Sequence, residues 1–169
     1  MKQKIIIVLL VLSMLLPGCT AAQSGAATVG TQAKSDFISY EDSKKITDIL
    51  SASFDGFDCN IFVTNGDTGV EFSLSMKCSV NTKIFADFVV WFSANVLEVT
   101  DGSDIPISKV DVTFFDTITN DLITWESTDG KTGRLIDLTS NQSVIKSITP
   151  GEIQEKYGSA ELDFPITGK

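Results

Sequence analysis

Apolar residues at helical spacing predict a first helix over residues 40–53. Ser39 and Asp42 form the Ser-x-x-acid pattern that caps the start of a helix. The segment ends before the Asp55-Gly56 turn. The apolar residues that recur at this spacing are Ile46, Ile49, Leu50 and Phe54. We expect this stripe to face the core.

The segment 82–99 contains no Gly or Pro and fits two periodicities. On a helix, its apolar residues fall within an arc of about 100°, and its polar residues gather on the other side. The apolar set is Phe85, Phe88, Val89, Phe92, Val96 and Val99, and the polar set is Lys83, Asp87, Asn95 and Glu98. Alternate residues from Ile84 to Val96 are also apolar, as in a strand, but a strand over the whole segment would be unusually long. The helix is therefore favoured.

Runs rich in β-formers predict the strands, with turns of Asn, Asp and Gly between them. The predicted strands are 57–64, 70–79, 110–115, 122–126 and 134–138. The first two flank an Asn65-Gly66 turn and form a hairpin, and the next two form a second hairpin. Residues 149–152 have a capping-box pattern with Pro150 at the first helical position, so a short helix is predicted from there to about Gly158.

This order of elements predicts an α+β fold, in which an antiparallel sheet of two hairpins packs against two helices. If 82–99 is a strand instead, the expected fold is a mostly-β sandwich. A single α+β domain is predicted over 37–157, followed by a weakly packed tail over 158–169. Residues 19–36 are mostly small and polar, and are predicted to form a flexible tether.

The start of the chain has the pattern of an export signal. Lys2 and Lys4 precede an apolar run over 5–16, which is shorter than the roughly twenty residues that a membrane-spanning helix needs. At its end, Leu16-Pro17-Gly18-Cys19 resembles the lipobox of bacterial lipoproteins, with Pro17 as the less usual element. The alternatives are an ordinary cleaved signal that leaves a free cysteine, and a retained membrane helix.

The resemblance covers residues 1–19 and implies a location. In bacterial lipoproteins the lipobox cysteine receives a diacylglycerol, the signal is cut before it, and the new amino terminus is often acylated with a chain such as palmitate. The implied signal peptide is 1–18 and the implied lipidation site is Cys19. Two or three acyl chains anchor a protein stably. The expected location is therefore the extracytoplasmic face of a bacterial membrane.

Charge and composition narrow the classes of function. The chain has 13 basic and 22 acidic residues, a formal charge of −9; loss of 1–18 removes Lys2 and Lys4 and no acid, which takes the charge to −11. This balance argues against a nucleic-acid partner. The sequence has no histidine, which excludes Ser-His-Asp and Cys-His catalysis and removes most zinc and iron sites. The acidic turns lack EF-hand spacing, so no metal, cofactor or catalytic residue is predicted.

Two cysteines remain once Cys19 is assigned. Cys59 and Cys78 fall on opposite strands of the first predicted hairpin, and exported proteins commonly form disulfides. Strict register from the turn places residue 59 nearer 75, so a bulge or bend is needed. A structural disulfide is predicted; the alternatives are two buried free thiols and a redox pair.

Trp91 gives the binding signal of the sequence. On the helix it lies on the arc of Lys83, Asp87, Asn95 and Glu98, where a large indole is a candidate partner contact. The alternative is that it packs under a neighbouring loop or the tether.

The predicted function is a membrane-anchored, non-catalytic binding module of the cell envelope that binds a protein or another envelope component. The alternative is a small hydrolase that acts on a cell-wall or extracellular polymer with two carboxylates.

Overall fold

The computed structural model describes residues 36–139 and 142–162, which form three helices and six strands. In chain order these are α1 (Tyr40–Ser53), β1 (Cys59–Asn65), β2 (Val70–Lys77), α2 (Thr82–Thr100), β3 (Ile107–Phe115), β4 (Leu122–Ser127), β5 (Gly133–Asp137), β6 (Ser143–Ile148) and α3 (Pro150–Tyr157). The predicted α+β class is confirmed, and the segment 82–99 is helical. Among the described residues, no helix has the length and apolar character needed to cross a membrane.

The six strands form one sheet in the order of the sequence, β1 to β6. Four neighbouring pairs are antiparallel, and they include the two predicted hairpins, β1 with β2 and β3 with β4. β6 was not predicted as a strand, and β2 and β3 are parallel. Parallel neighbours cannot be joined by a tight turn and need a crossover connection, and α2 supplies it. The sheet is therefore mixed, and α2 is the element that determines its topology.

One face of the sheet carries the core. Cross-strand register places Ile61, Leu74, Val112, Trp125 and Leu135 in one row over five strands, and all five are buried. Helix side chains pack onto this face through aromatic contacts. The ring centroids of Phe88 and Phe114 are 5.2 Å apart, as are those of Phe54 and Phe88. The layer arrangement is thus helices on one face of a sheet.

The opposite face follows from the two-residue period of a strand. The neighbouring row there contains Phe62, Ser73, Asp111, Glu126 and Arg134, again in cross-strand register. Its exposure rises toward the edge of the sheet, and Phe62 is 56% exposed. This face is polar, whereas the helical face is apolar.

Local capping signals set two of the helix starts as predicted. The Ser39 hydroxyl accepts the backbone N–H of Asp42 at 3.1 Å. At α3, Thr149 and Glu152 form the full capping box, in which the Thr149 backbone N–H donates to the Glu152 carboxylate at 2.8 Å. These hydrogen bonds lower the pKa of Glu152.

The polar side of α2 is covered at two places. Asp87 is buried under α3 and the chain that follows it, and accepts hydrogen bonds from Gln154 Nε2 at 2.8 Å and from the backbone N–H of Ala160 at 2.9 Å. Asn95 is buried near Ser53 of α1, with 3.4 Å between their side-chain oxygens. Of the four polar residues on this arc, Asp87 and Asn95 are therefore interior, whereas Glu98 is half-buried and Lys83 is exposed.

The N-terminal predictions fall outside the structure. The signal peptide, Cys19 and residues 19–35 of the predicted tether lie outside the described residues, as do residues 163–169 of the predicted tail. These predictions remain predictions.

Candidate functional site

A groove with a volume of about 750 Å³ lies between α1 and α2. Its floor and walls are mainly apolar, and charged side chains stand at its rim. The lining residues are Asp36, Phe37, Ile38, Ser39, Asp42, Lys45, Ile46, Ile49, Ala52, Glu98, Val99 and Ile105. This volume is in the range of small-molecule and peptide sites, which combine apolar walls with a few polar groups.

Helix α1 forms one wall of the groove with a single stripe of side chains. Asp42, Lys45, Ile49 and Ala52 are three or four residues apart, so that they lie one above another on the helix surface. Their span from 42 to 52 corresponds to about 15 Å along the helix axis. The groove is therefore elongated along α1.

The side chain of Asn65 fixes the N-terminal wall. Its Oδ1 accepts the backbone N–H groups of Phe37 at 2.9 Å and of Ile38 at 3.1 Å, and its Nδ2 donates to the Ile38 carbonyl at 2.9 Å. Because Asn65 is the last residue of β1, these three hydrogen bonds attach the chain before α1 to the sheet. The groove thus has a wall that is held in place on the N-terminal side of α1.

Acidic residues lie near this same end of the groove, because α2 ends beside the strand ends that carry Asn65, Val70 and Ile107. Glu98 lines the groove, Asp101 is the C-cap of α2, and Asp104 follows in the connection to Ile105. The last turn of α2 contains no basic residue. The C-terminus of a helix also carries a partial negative charge. The N-terminus of α1, whose cap Ser39 lines the groove, carries the opposite partial charge. The preference of the groove for a cation therefore comes from its carboxylates, since Asp36, Asp42 and Glu98 outnumber Lys45 in the lining.

A second hollow of about 590 Å³ lies beside the groove along α1. It shares Lys45, Ile49 and Ala52 with the groove and reaches Tyr40 at the start of the helix. Tyr40 is 84% exposed. A large exposed aromatic residue at the edge of an apolar groove is a feature of protein interfaces.

The polar face of the sheet holds a separate cluster of charges. Asp111 and Glu126 are direct cross-strand partners, and so are Glu71 and Lys109. Lys109 Nζ is 2.9 Å from Asp111 Oδ1, and the Ser73 hydroxyl donates to the same oxygen at 2.7 Å. The hydrogen bond to Asp111 raises the pKa of Lys109. Glu71 and Lys109 thus form an opposite-charge pair across β2 and β3, which stabilises the sheet. Asp111 and Glu126 have like charges across β3 and β4, and Lys109 on the same strand as Asp111 offsets this repulsion.

A hollow of about 390 Å³ lies beside this charge cluster. It is lined by Glu71, Lys109, Glu126 and Arg134 and by the loop residue Thr128, among others. Direct cross-strand partners have Cβ atoms about 5 Å apart, so Asp111 and Glu126 place two carboxylates side by side on this face. This pair is the structural counterpart of the hydrolase alternative.

The predicted disulfide residues lie at one end of the first hairpin. Cys59 pairs with Met76, one residue further along than the predicted register, because the loop between β1 and β2 runs from Gly66 to Gly69. Cys78 lies two residues beyond Met76, so the two cysteines are diagonal neighbours, and both pack against the core as free thiols. Burial raises the pKa of each thiol, which lowers its reactivity as a nucleophile.

Trp91 is half-buried and packs against the core from α2. It lies between Asp87, which the C-terminal segment covers, and Asn95, which lies against α1. The indole is therefore set among buried polar groups rather than on an open polar face. Its role as a partner contact remains a prediction.

The groove residues Ile49 and Val99 were not expected to be accessible. The sequence assigns both to the core stripes of their helices, whereas each is half-buried and lines the groove. A local signal existed for Ile49, which lies about 60° to one side of Ile46 around α1 and so at the edge of the stripe. For Val99, exposure follows from the end of α2 and the course of the following loop, which no local pattern specifies.

No protein-family model, no curated protein and no solved structure matches the chain.

Proposed function

We propose that the protein is a bacterial lipoprotein, anchored through Cys19 to the extracytoplasmic face of a membrane, whose single domain binds another component of the cell envelope without catalysing a reaction. The observation that carries the binding role is the apolar groove between α1 and α2. Ile49 and Val99 are half-buried in this groove and remain accessible. Both belong to the apolar stripes of their helices, which would place them in the core. Accessible apolar surface in a concavity is typical of binding sites.

The absence of histidine from the sequence supports a binding role over catalysis. The titratable side chains of the groove are carboxylates at the rim and Lys45. The Asp42 carboxylate accepts a hydrogen bond from the Ser39 hydroxyl at 2.6 Å, so it serves the helix cap. The lining thus combines apolar contact surface with charges that orient a ligand.

Photo-crosslinking on intact cells tests the binding role. A photoreactive amino acid at Ala52, which is exposed and lines the groove, is compared with the same group at Ile118, which is 88% exposed in the β3–β4 connection. We expect one partner to be captured from Ala52, not from Ile118, and to be lost when Ile49→Ser is added. Equal capture from both positions would overturn the groove as the binding site.

Metabolic labelling with a fatty-acid analogue tests the anchor. We expect label in the wild type and none in the Cys19→Ala variant. Label that survives this substitution would overturn the lipid site, independently of the result at the groove.

The hydrolase alternative has one specific observation in its favour, the cross-strand pair of Asp111 and Glu126 on the polar face of the sheet. Retaining glycosidases use two carboxylates about 5 Å apart. The test is release of soluble fragments from purified cell-wall polymer. Activity that is lost in both Asp111→Asn and Glu126→Gln, and kept in Glu155→Gln on α3, would favour the enzyme over the binding module.

A further inference from the structure

We infer that the groove between α1 and α2 takes a basic amphipathic peptide segment of a protein partner. This inference rests on the proposed function, since it names the chemistry of the component that the groove binds. Three features of the described residues carry it: the shape of the groove, its charges, and the aromatic residue beside it.

The shape fits an elongated occupant. The α1 wall extends over about 15 Å, which matches roughly ten residues of helix or five residues of extended chain. Ile46, Ile49 and Val99 supply apolar surface at the floor and walls. A helix that lies in a groove buries apolar residues along one face, and this is a common way for a domain to recognise a peptide.

The charged residues of the groove indicate that its occupant is positively charged. Asp36, Asp42 and Glu98 line the groove, and Asp101 and Asp104 follow at the C-terminal end of α2. Lys45 is the basic side chain in the groove lining. A segment that places Lys or Arg beside the end of α2 and apolar residues over Ile49 satisfies both features. Complementary charge of this kind gives specificity and speeds association.

Tyr40 extends the same surface beyond the groove. It is 84% exposed, and the hollow that contains it shares Lys45 and Ile49 with the groove. An aromatic side chain at this position contributes contact area to a peptide longer than the groove itself. An anionic lipid surface or a nucleic acid is disfavoured, because the acidic rim repels both.

A direct binding measurement tests the inference. The mature chain is titrated with a fluorescent synthetic amphipathic helix composed of Leu and Lys, and with the same peptide in which Glu replaces Lys. Glu98→Gln is paired with Glu155→Gln, which removes one acid from α3 outside the groove. Ile49→Ser is paired with Ile118→Ser, which removes an exposed isoleucine elsewhere.

We expect the Lys peptide to bind and the Glu peptide not to bind. The Glu98→Gln substitution should weaken binding of the Lys peptide about fivefold, and Ile49→Ser should weaken it about tenfold. The two control variants should bind as the wild type does. Equal weakening by Glu98→Gln and Glu155→Gln would reveal general attraction to an acidic protein, and would overturn the inference.

Two further outcomes separate this inference from the proposed function. If the Lys peptide fails to bind while Ala52 still captures a partner on cells, the ligand class is wrong and the binding role stands. If a photoreactive group at Ala52 of the mature chain crosslinks to residues 20–35 of the same chain, the tether occupies the groove and an external peptide partner is overturned.

Discussion

The carboxylate of Asp87 accepts a hydrogen bond from the backbone N–H of Ala160 at 2.9 Å, although 73 residues separate them. Gln154 donates to the other carboxylate oxygen of Asp87 at 2.8 Å. One side chain in the first half of α2 thus holds both α3 and the chain that follows it. These hydrogen bonds attach the C-terminal part of the domain to α2.

Removal of the Asp87 carboxylate should therefore destabilise the protein. The Asp87→Ala substitution leaves the donors of Gln154 and Ala160 without their acceptor at a site where Asp87 is only 1% exposed. We expect a loss of about 3 kcal/mol in the free energy of unfolding, measured by denaturant titration. Asp48→Ala on the exposed face of α1 is the control, and a similar effect of both substitutions would contradict this role of Asp87.

Tyr157 should make stability depend on pH in the alkaline range. Its hydroxyl donates to Asp137 Oδ2 at 2.6 Å, and burial together with this carboxylate raises the pKa of Tyr157 above its ordinary value. Because the unfolded chain ionises first, the stabilisation is complete below about pH 10 and is lost as the pH rises beyond it.

The Tyr157→Phe variant isolates this effect. We expect it to be about 1 kcal/mol less stable than the wild type at neutral pH, from the loss of one hydrogen bond to a carboxylate. The difference should shrink above about pH 10, since only the wild type has this phenol to ionise. A difference that is constant from neutral to alkaline pH would contradict the assignment. Tyr40→Phe, at an exposed position, controls for the removal of a phenol.

Gly133 should not tolerate a side chain. A Cβ atom at this position would collide with the Glu126 carbonyl oxygen and would lie 2.6 Å from Trp125 Nε1. The Trp125 indole donates to the Ile148 carbonyl at 3.2 Å, so its displacement would disturb β6 as well. We expect Gly133→Ala to cost about 2 kcal/mol.

The matched substitution is Gly151→Ala in the first turn of α3, where a Cβ atom meets nothing within 4 Å. Alanine favours a helix over glycine, so this variant should be slightly more stable than the wild type. Tryptophan fluorescence during denaturant titration measures both variants. Equal stability of the two would show that the approach of Trp125 to Gly133 is not tight in solution.

The elements that local signals specify were predictable from the sequence, and their long-range partners were not. The caps at Ser39 and Thr149 and the apolar stripe of α2 are set by residues within a few positions of one another. The parallel pairing of β2 with β3 depends on where α2 returns the chain to the sheet, which no short pattern encodes.

The candidate site was less predictable for the same reason. Asp87 and Asn95 have the positions of solvent-facing residues on α2, and they are buried by α3 and α1, which come from distant parts of the chain. Ile49 and Val99 have the positions of core residues, and they line the groove because no element of the described residues closes over them. The burial of a helix face is decided by tertiary neighbours, not by periodicity alone.

We predict that Cys59 and Cys78 form a disulfide when the protein is exported to an oxidising compartment. Cys59 and Cys78 are diagonal neighbours at the open end of β1 and β2. Diagonal neighbours on paired strands have Cα atoms about 7 Å apart. A disulfide requires roughly 6 Å. Cys78 follows the last residue of β2, where a shift of about 1 Å needs no break in the β1–β2 ladder. The raised thiol pKa values favour a structural bridge over redox exchange.

We expect no free thiol in the exported protein when it is denatured without reductant, and two in a chain made in the cytoplasm without residues 1–19. The bridge closes a loop of about twenty residues, so the Cys59→Ser, Cys78→Ser double variant should lose about 3 kcal/mol relative to the oxidised wild type. Reduced wild type should match the double variant, because the stabilisation comes from the bond and not from the packing of the sulfur atoms. Two free thiols in the exported protein would contradict the bridge, and would show that Cys59 and Cys78 pack against the core as free thiols.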